Sequence, residues 1–292
     1  MVDAVPMTYA ISFALISLAA AGCLDVTFKR FSLKVRSRGM YVFGCGVVWL
    51  ALQLTYLTIT DVQLRLDEVT VMYGLVTGAF LVLGNILLIE SLTGLDVSLG
   101  SMIYRLNTIG VVAISFVLLG EDVSFIKLLG IGIGIVAVLI LYRRGDGGDA
   151  VSIPVLFFVM AVLASASRAI YGVASKVALE QGASAEGLLV IAAIGWIVGG
   201  LAYAAFREKR VRITVKKLAY ALVSGSLAFA VVNALIEALK HGEASVVVPI
   251  ANLSFAVAML FSVFLGMEKL SGRKYFAIGC AAVSVFLMAQ AV

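Results

Sequence analysis

The sequence predicts an all-α polytopic membrane protein of ten transmembrane helices, built as two inverted five-helix repeats. Three observations predict it: an excess of apolar residues, ten apolar blocks of spanning length, and a constant 147-residue offset relating the two halves. Of 292 residues, 62% are hydrophobic and only 13% charged, and the mean hydropathy is +1.11. A soluble domain carries about a quarter of its residues charged, so this chain takes the lipid bilayer as its solvent. It is mildly basic, with 22 Lys and Arg against 17 Asp and Glu. Those basic residues fall between apolar blocks, as the positive-inside rule requires, and this argues against a nucleic-acid partner.

A spanning helix needs about 20 mostly apolar residues. In chain order the blocks are Met7–Thr27, Met40–Thr60, Thr70–Leu92, Val97–Leu119 and Val123–Tyr142. Then come Ile153–Lys176, Ser184–Phe206, Lys216–Lys240, Glu243–Leu265 and Gly272–Ala291. No basic stretch and no cleavage site mark the first block as a leader, so it is expected to be a retained helix. Connections are short, and only Arg143–Ser152, at the midpoint, has the composition of a linker. Cys23, Cys45 and Cys280 lie within apolar blocks at no metal-like spacing and are expected to behave as small buried hydrophobes.

The midpoint linker divides the chain into 1–147 and 148–292. Adding 147 to a first-half number gives its repeat image. Trp49 maps to Trp196, the only tryptophans, and Tyr56 to Tyr203, Tyr73 to Tyr220 and Gly78 to Gly225. Glu90 maps to Glu237, Ser98 to Ser245, Ser115 to Ser262, Glu121 to Glu268, Ser124 to Ser271 and Lys127 to Lys274. Leu and Val align by chance in such a chain, but paired Trp, Glu, Lys and Tyr at one offset do not. An odd number of helices placed twice must sit once each way up, the inverted repeat of alternating-access transporters. Both orientations within one chain also predict that a monomer suffices.

Charge supports the inversion. The loop after the first helix carries Lys29, Arg30, Lys34, Arg36 and Arg38, while its image has Lys176 alone. Conversely, Arg65 alone follows the second helix, and Arg207, Lys209, Arg210 and Arg212 follow the seventh. Sixteen Lys and Arg lie after odd-numbered helices and four after even-numbered ones. This places the odd loops in the cytoplasm and both termini outside an inner or plasma membrane.

Each half closes on a similar phrase. The first reads Phe116-Val-Leu-Leu-Gly-Glu121, Ser124, then Gly130, Gly132 and Gly134; the second reads Phe264-Leu-Gly-Met-Glu268, Ser271, then Gly279. With these phrases the chain resembles the drug/metabolite transporter superfamily, in its ten-helix EamA-type branch. Pro249 fits the pattern, whereas its image Met102 departs from it. The resemblance implies that four helices of each half surround a central cavity, with the fifth and tenth packed outside. It also brings the family's usual orientation, termini inside, against which the charge count here argues. Gly130 and Gly134, with their images Ala277 and Ala281, read as small-residue packing faces.

Ionisable groups within spanning helices are expensive and normally face a partner or a wet cavity. Here they are Asp25, Glu90, Arg105, Arg168 and Glu237. Helical spacing groups Ser101, Arg105 and Thr108, flanked by Tyr104 and Asn107; Ser165, Arg168, Gly172 and Ser175, beside Tyr171; Ser226, Asn233, Glu237 and His241; and Ser245, Pro249 and Asn252. Four polar stripes on otherwise apolar helices predict a shared wet interior. Its expected substrate-binding residues are Arg105, Arg168, Tyr104, Tyr171, Asn107, Asn252, Asn233 and Asn85. Each Asn reads equally well as glue between helices, and each Arg as half of a fixed ion pair. Asp25, Glu90 and Glu237 are candidates for gating or for carrying a coupled proton, or they reach the interface by snorkelling.

No catalytic, metal or cofactor motif is present, and the single histidine is His241. The expected function is secondary transport, by alternating access, of a small metabolite bearing a carboxylate or other anionic group, in the manner of an amino acid. Alternatives are broad export of lipophilic drugs or cations, against which two intramembrane arginines argue, and an intramembrane lipid-modifying enzyme.

Overall fold

The computed structural model describes residues 7–32, 37–91, 103–122, 124–140, 155–209, 214–265 and 272–290. The linker at 143–152, Ser98, Met102, Glu268 and Ser271 therefore lie outside the described residues. The ten helices are α1 (Met7–Ser32), α2 (Arg38–Thr60), α3 (Glu68–Ser91), α4 (Ile103–Leu119), α5 (Phe125–Ile140), α6 (Val155–Glu180), α7 (Ala185–Tyr203), α8 (Val215–His241), α9 (Ala244–Asn252, then Ser254–Phe264) and α10 (Gly272–Gln290). Six of them, α1–α3 and α6–α8, are long and apolar enough to cross a membrane, and the other four are shorter apolar helices. Their outer faces are apolar, with Phe206, Val215 and Phe264 each more than four-fifths exposed, as contact with lipid tails requires.

The repeat is written into the helix ends. Ser37 caps α2 by accepting from Met40 N, and its image Ser184 caps α7 by accepting from Gly187 N. Asp67 accepts from Thr70 N at the start of α3, and its image Thr214 accepts from Lys217 N at the start of α8. A side-chain oxygen at this position satisfies one of the N–H groups a helix start leaves without a partner. Each cap falls where an apolar run begins, so the sequence fixes the helix starts twice over. At the other end α7 runs on into a π turn, Ala204–Glu208, which has no counterpart in α2.

Helix packing shows the inversion directly. The start of α2 meets the end of α7: a Cβ on Gly39 would lie 2.5 Å from Ala204 N, and one on Gly200 would lie 2.4 Å from Phe43 N. Likewise Gly130, early in α5, meets Met288, late in α10, while Ser284 Oγ donates to Gly130 O at 2.6 Å. Repeat images thus pack antiparallel, which puts the twofold axis across the helices, in the membrane plane. Other pairs come in images too: α1 packs on α8 as α6 packs on α3, and α1 packs on the second part of α9 as α6 does on that of α4.

Two expectations change at the level of single residues. Ser226 is exposed on the surface of α8, and Ser224 takes the buried position, bonded to Tyr41 Oη. Among the cysteines only Cys45 is fully buried.

Candidate functional site

Both α4 and α9 are broken, and at image positions. At Leu106 the backbone turns with i−3 bonds, Leu106 N to Ile103 O and Ile109 N to Leu106 O. At Leu253 the same two bonds recur, Leu253 N to Ile250 O and Ala256 N to Leu253 O. Pro249 is not the cause, because the break is common to both halves and the proline is not. Breaks of this kind free backbone carbonyls, which inverted-repeat carriers use to build sites at the midplane.

Arg105, immediately before the first break, answers the second. Its Nη1 donates to Asn252 O and to Ser254 Oγ, both at 2.8 Å. Its Nη2 forms an ion pair with Asp25 on α1, and the guanidinium lies 5.7 Å from the Phe255 ring centroid. Asn252 is the repeat image of Arg105, so this bond crosses the twofold axis. The Asn252 amide also donates to Asn107 Oδ1 at 2.6 Å and to Thr108 Oγ1 at 3.1 Å, while Asn107 Nδ2 donates to Tyr104 O. The two breaks are thereby laced together. Beside them lies a cavity of ≈ 10 Å³, lined by Arg105, Thr108, Pro249, Asn252 and Ser284 among others, room for about one water. At that volume this cavity does not admit a metabolite.

Arg168 is different. It sits at the middle of α6, not in its outer half, because that helix runs on to Glu180. Its guanidinium stacks 5.0 Å from the centroid of the Tyr171 ring, which is itself buried. Tyr104 is within electrostatic reach of Arg168, Arg105 and Asp25 together, so the fourth, sixth and first helices bring these groups to one place. No carboxylate pairs with Arg168 among the described residues.

The remaining candidates divide. Asn233 on α8 exchanges two hydrogen bonds with Gln53 on α2, at 2.8 and 3.3 Å, and is helix glue. Asn85 bonds Leu81 O in its own helix. Glu90 accepts from Tyr203 Oη and lies 3.5 Å from Arg207 Nε; Glu237 pairs with Lys240 at 2.9 Å and with His241 at 3.2 Å. Of the three acidic candidates, only Asp25 meets one of the two candidate arginines, Arg105; the arginine beside Glu90 is Arg207, in the π turn that ends α7.

Three groups escaped the sequence reading. Gln53, fully buried, carried a signal, being an amide in an apolar helix. Glu121 accepts from Ala244 N and Ser245 N and so caps α9, and Lys127, 2% exposed, pairs with Glu243. Both belong to the phrase that closes the first half, which explains it as a clamp joining the α4–α5 turn to α9. Their pairing with Glu243 and Ser245 could not be read from one strand of sequence.

Known proteins place this architecture. No curated protein matches the sequence. Solved structures do: 29 chains are similar, and one crystal structure, 15% identical, superposes with a TM-score of 0.77 over 98% of each chain. At that identity the likeness shows the fold alone. The EamA-like transporter family matches twice, over residues 8–143 and 156–290, one match per repeat. With the two inverted halves and their laced helix breaks already in view, the chain belongs to the EamA-like transporter family.

Proposed function

We propose that this transporter moves a small metabolite with a carboxylate or similar anionic group by alternating access, and that Arg168 is its anion anchor. The supporting observation is the contrast between the two arginines. Among the described residues Arg105 has a carboxylate and two further acceptors, and Arg168 has an aromatic face and no anion. A guanidinium held in the low-dielectric interior without a partner is destabilising, and its presence makes sense if the partner arrives as substrate. Tyr104 and Tyr171 then wall the site, with Asn107 and Asn252 behind it. Arg105, locked to Asp25, serves as the latch between the halves, and Asp25 is the candidate to take up a proton as that latch opens.

Charge distribution supports a multi-pass protein of the inner or plasma membrane with both termini outside, a repeat boundary near 147, and a monomer as the working unit. Impermeant labelling of an engineered cysteine in the 207–213 loop from the cytoplasmic face alone agrees with this orientation; labelling from outside reverses it.

The anchor is tested by finding, in a thermal-shift screen of metabolites, one that stabilises the protein, then measuring its counterflow in proteoliposomes. Arg168→Lys keeps the charge and loses the planar fork, so substrate affinity should fall about tenfold or more. Unchanged affinity and rate would assign Arg168 to structure, and saturable uptake of lipophilic cations instead would favour the drug-export reading.

A further inference from the structure

The two tryptophans occupy a second place where repeat images meet. Trp49 is midway along α2 and Trp196 midway along α7, and their rings meet edge to face, with centroids 5.9 Å apart at 83°. Both indole Nε1 atoms are buried, and neither has a hydrogen-bond acceptor. Buried indoles ordinarily find a partner for the N–H, and here the same donor is orphaned in both halves. The two helices are closely packed here: a Cβ on Gly46 would lie 3.0 Å from Trp196 Cβ, and backbone carbonyls within a helix are ordinarily committed to its own bonds. Burial is unequal, with Trp49 sealed at 0% exposure and Trp196 half-buried.

We propose that Trp49 and Trp196 form a solute-contact site on the twofold axis, whose indole N–H groups donate to an oxygen acceptor on a passing solute. The chemistry fits a carbonyl, carboxylate or ether oxygen attached to an apolar body that slides along the ring faces. A pair of unpaired donors does not select a cation. The site uses neither arginine and does not require that the solute be an anion.

These are the only tryptophans, so the full-length protein carries its own probe. In lipid nanodiscs, indole-¹⁵N labelling gives two resonances, assigned with Trp49→Phe and Trp196→Phe. Acrylamide, a small amide with one carbonyl acceptor, should move both indole proton resonances downfield and quench at least half of the fluorescence, despite the burial of both Nε1 atoms. Arg168→Lys should leave this response intact, which separates failure of the anion anchor from failure of this site. Resonances that do not move, with fluorescence unquenched, would overturn the proposal. So would exchange of the indole protons in D₂O with no response to acrylamide, which marks a trapped water.

Discussion

Arg105 bonds to two other helices at once, Asp25 on α1 and Asn252 and Ser254 on α9. Its loss should therefore be felt well beyond its own helix. Arg105→Met leaves a freed backbone carbonyl and a carboxylate without their donor, and should lower unfolding free energy by about 3 kcal/mol. Asp25→Asn should lower it by only about 1 kcal/mol, because that carboxyl is 43% exposed and the other acceptors remain. Reversible detergent denaturation of the two variants and of the double variant measures this. A double variant no better than the sum of the singles would remove the coupling. The sequence offered Asp25, Glu90 and Glu237 as partners for two arginines and could not choose. What decides is the break at Leu106, which resets the phase of α4 and turns Arg105 toward α1 and α9. A local change of helical phase is invisible in an apolar run, whereas the presence of an arginine there is not.

Ten helices were legible because burial in lipid demands a run of fixed length, and the caps at Ser37, Ser184, Asp67 and Thr214 sharpen their starts. The ends are less so: α1 and α6 run several residues past their apolar blocks, to Ser32 and Glu180, because a helix that has left the membrane core may keep its backbone bonds while its side chains turn polar. Glycines separate into two kinds that sequence alone does not distinguish. On Gly200 an added Cβ would press against Phe43 N at 2.4 Å and Gly39 O at 2.9 Å, both backbone, so α2 and α7 would have to part. On Gly132, within the glycine run of α5, it would meet nothing. Gly200→Ala should destabilise by about 1–3 kcal/mol, and Gly132→Ala should be neutral or stabilising by up to about 1 kcal/mol. Melting temperatures of the two purified variants decide it; equal effects would mean that the α2–α7 approach is not the constraint it looks.

In the proposed transport cycle the two closures are clusters that are repeat images of each other, one at each end of the molecule. At one end Phe31 stacks on Tyr41 with centroids 4.1 Å apart, Tyr220 meets Phe31 edge-on, and Tyr41 Oη donates to Ser224 Oγ at 2.5 Å. At the other end Ala178, Leu188 and Tyr73 pack together, the images of Phe31, Tyr41 and Tyr220. Large aromatics thus seal one end where smaller side chains seal the other, so the two closures are not of equal strength. The Tyr41–Ser224 contact joins α2 to α8; its image positions are Leu188 on α7 and Thr77 on α3, helices that pack on each other. In the alternating access proposed above, rocking one half against the other would open one closure as it tightens the other. With Cys23, Cys45 and Cys280 replaced by alanine, paired cysteines at 41 and 224 should form a disulfide that blocks counterflow, and reduction should restore it. A pair at 188 and 77 should behave likewise. Access is then read at Trp49→Cys and Trp196→Cys with an impermeant thiol reagent added from either side of sealed vesicles. The 41–224 cross-link should leave labelling possible from the end of Leu188 and Thr77 only, and the 188–77 cross-link from the opposite end only. Labelling from both ends in either cross-linked protein would mean the central path is a pore, and labelling unaffected by either cross-link would separate these closures from transport.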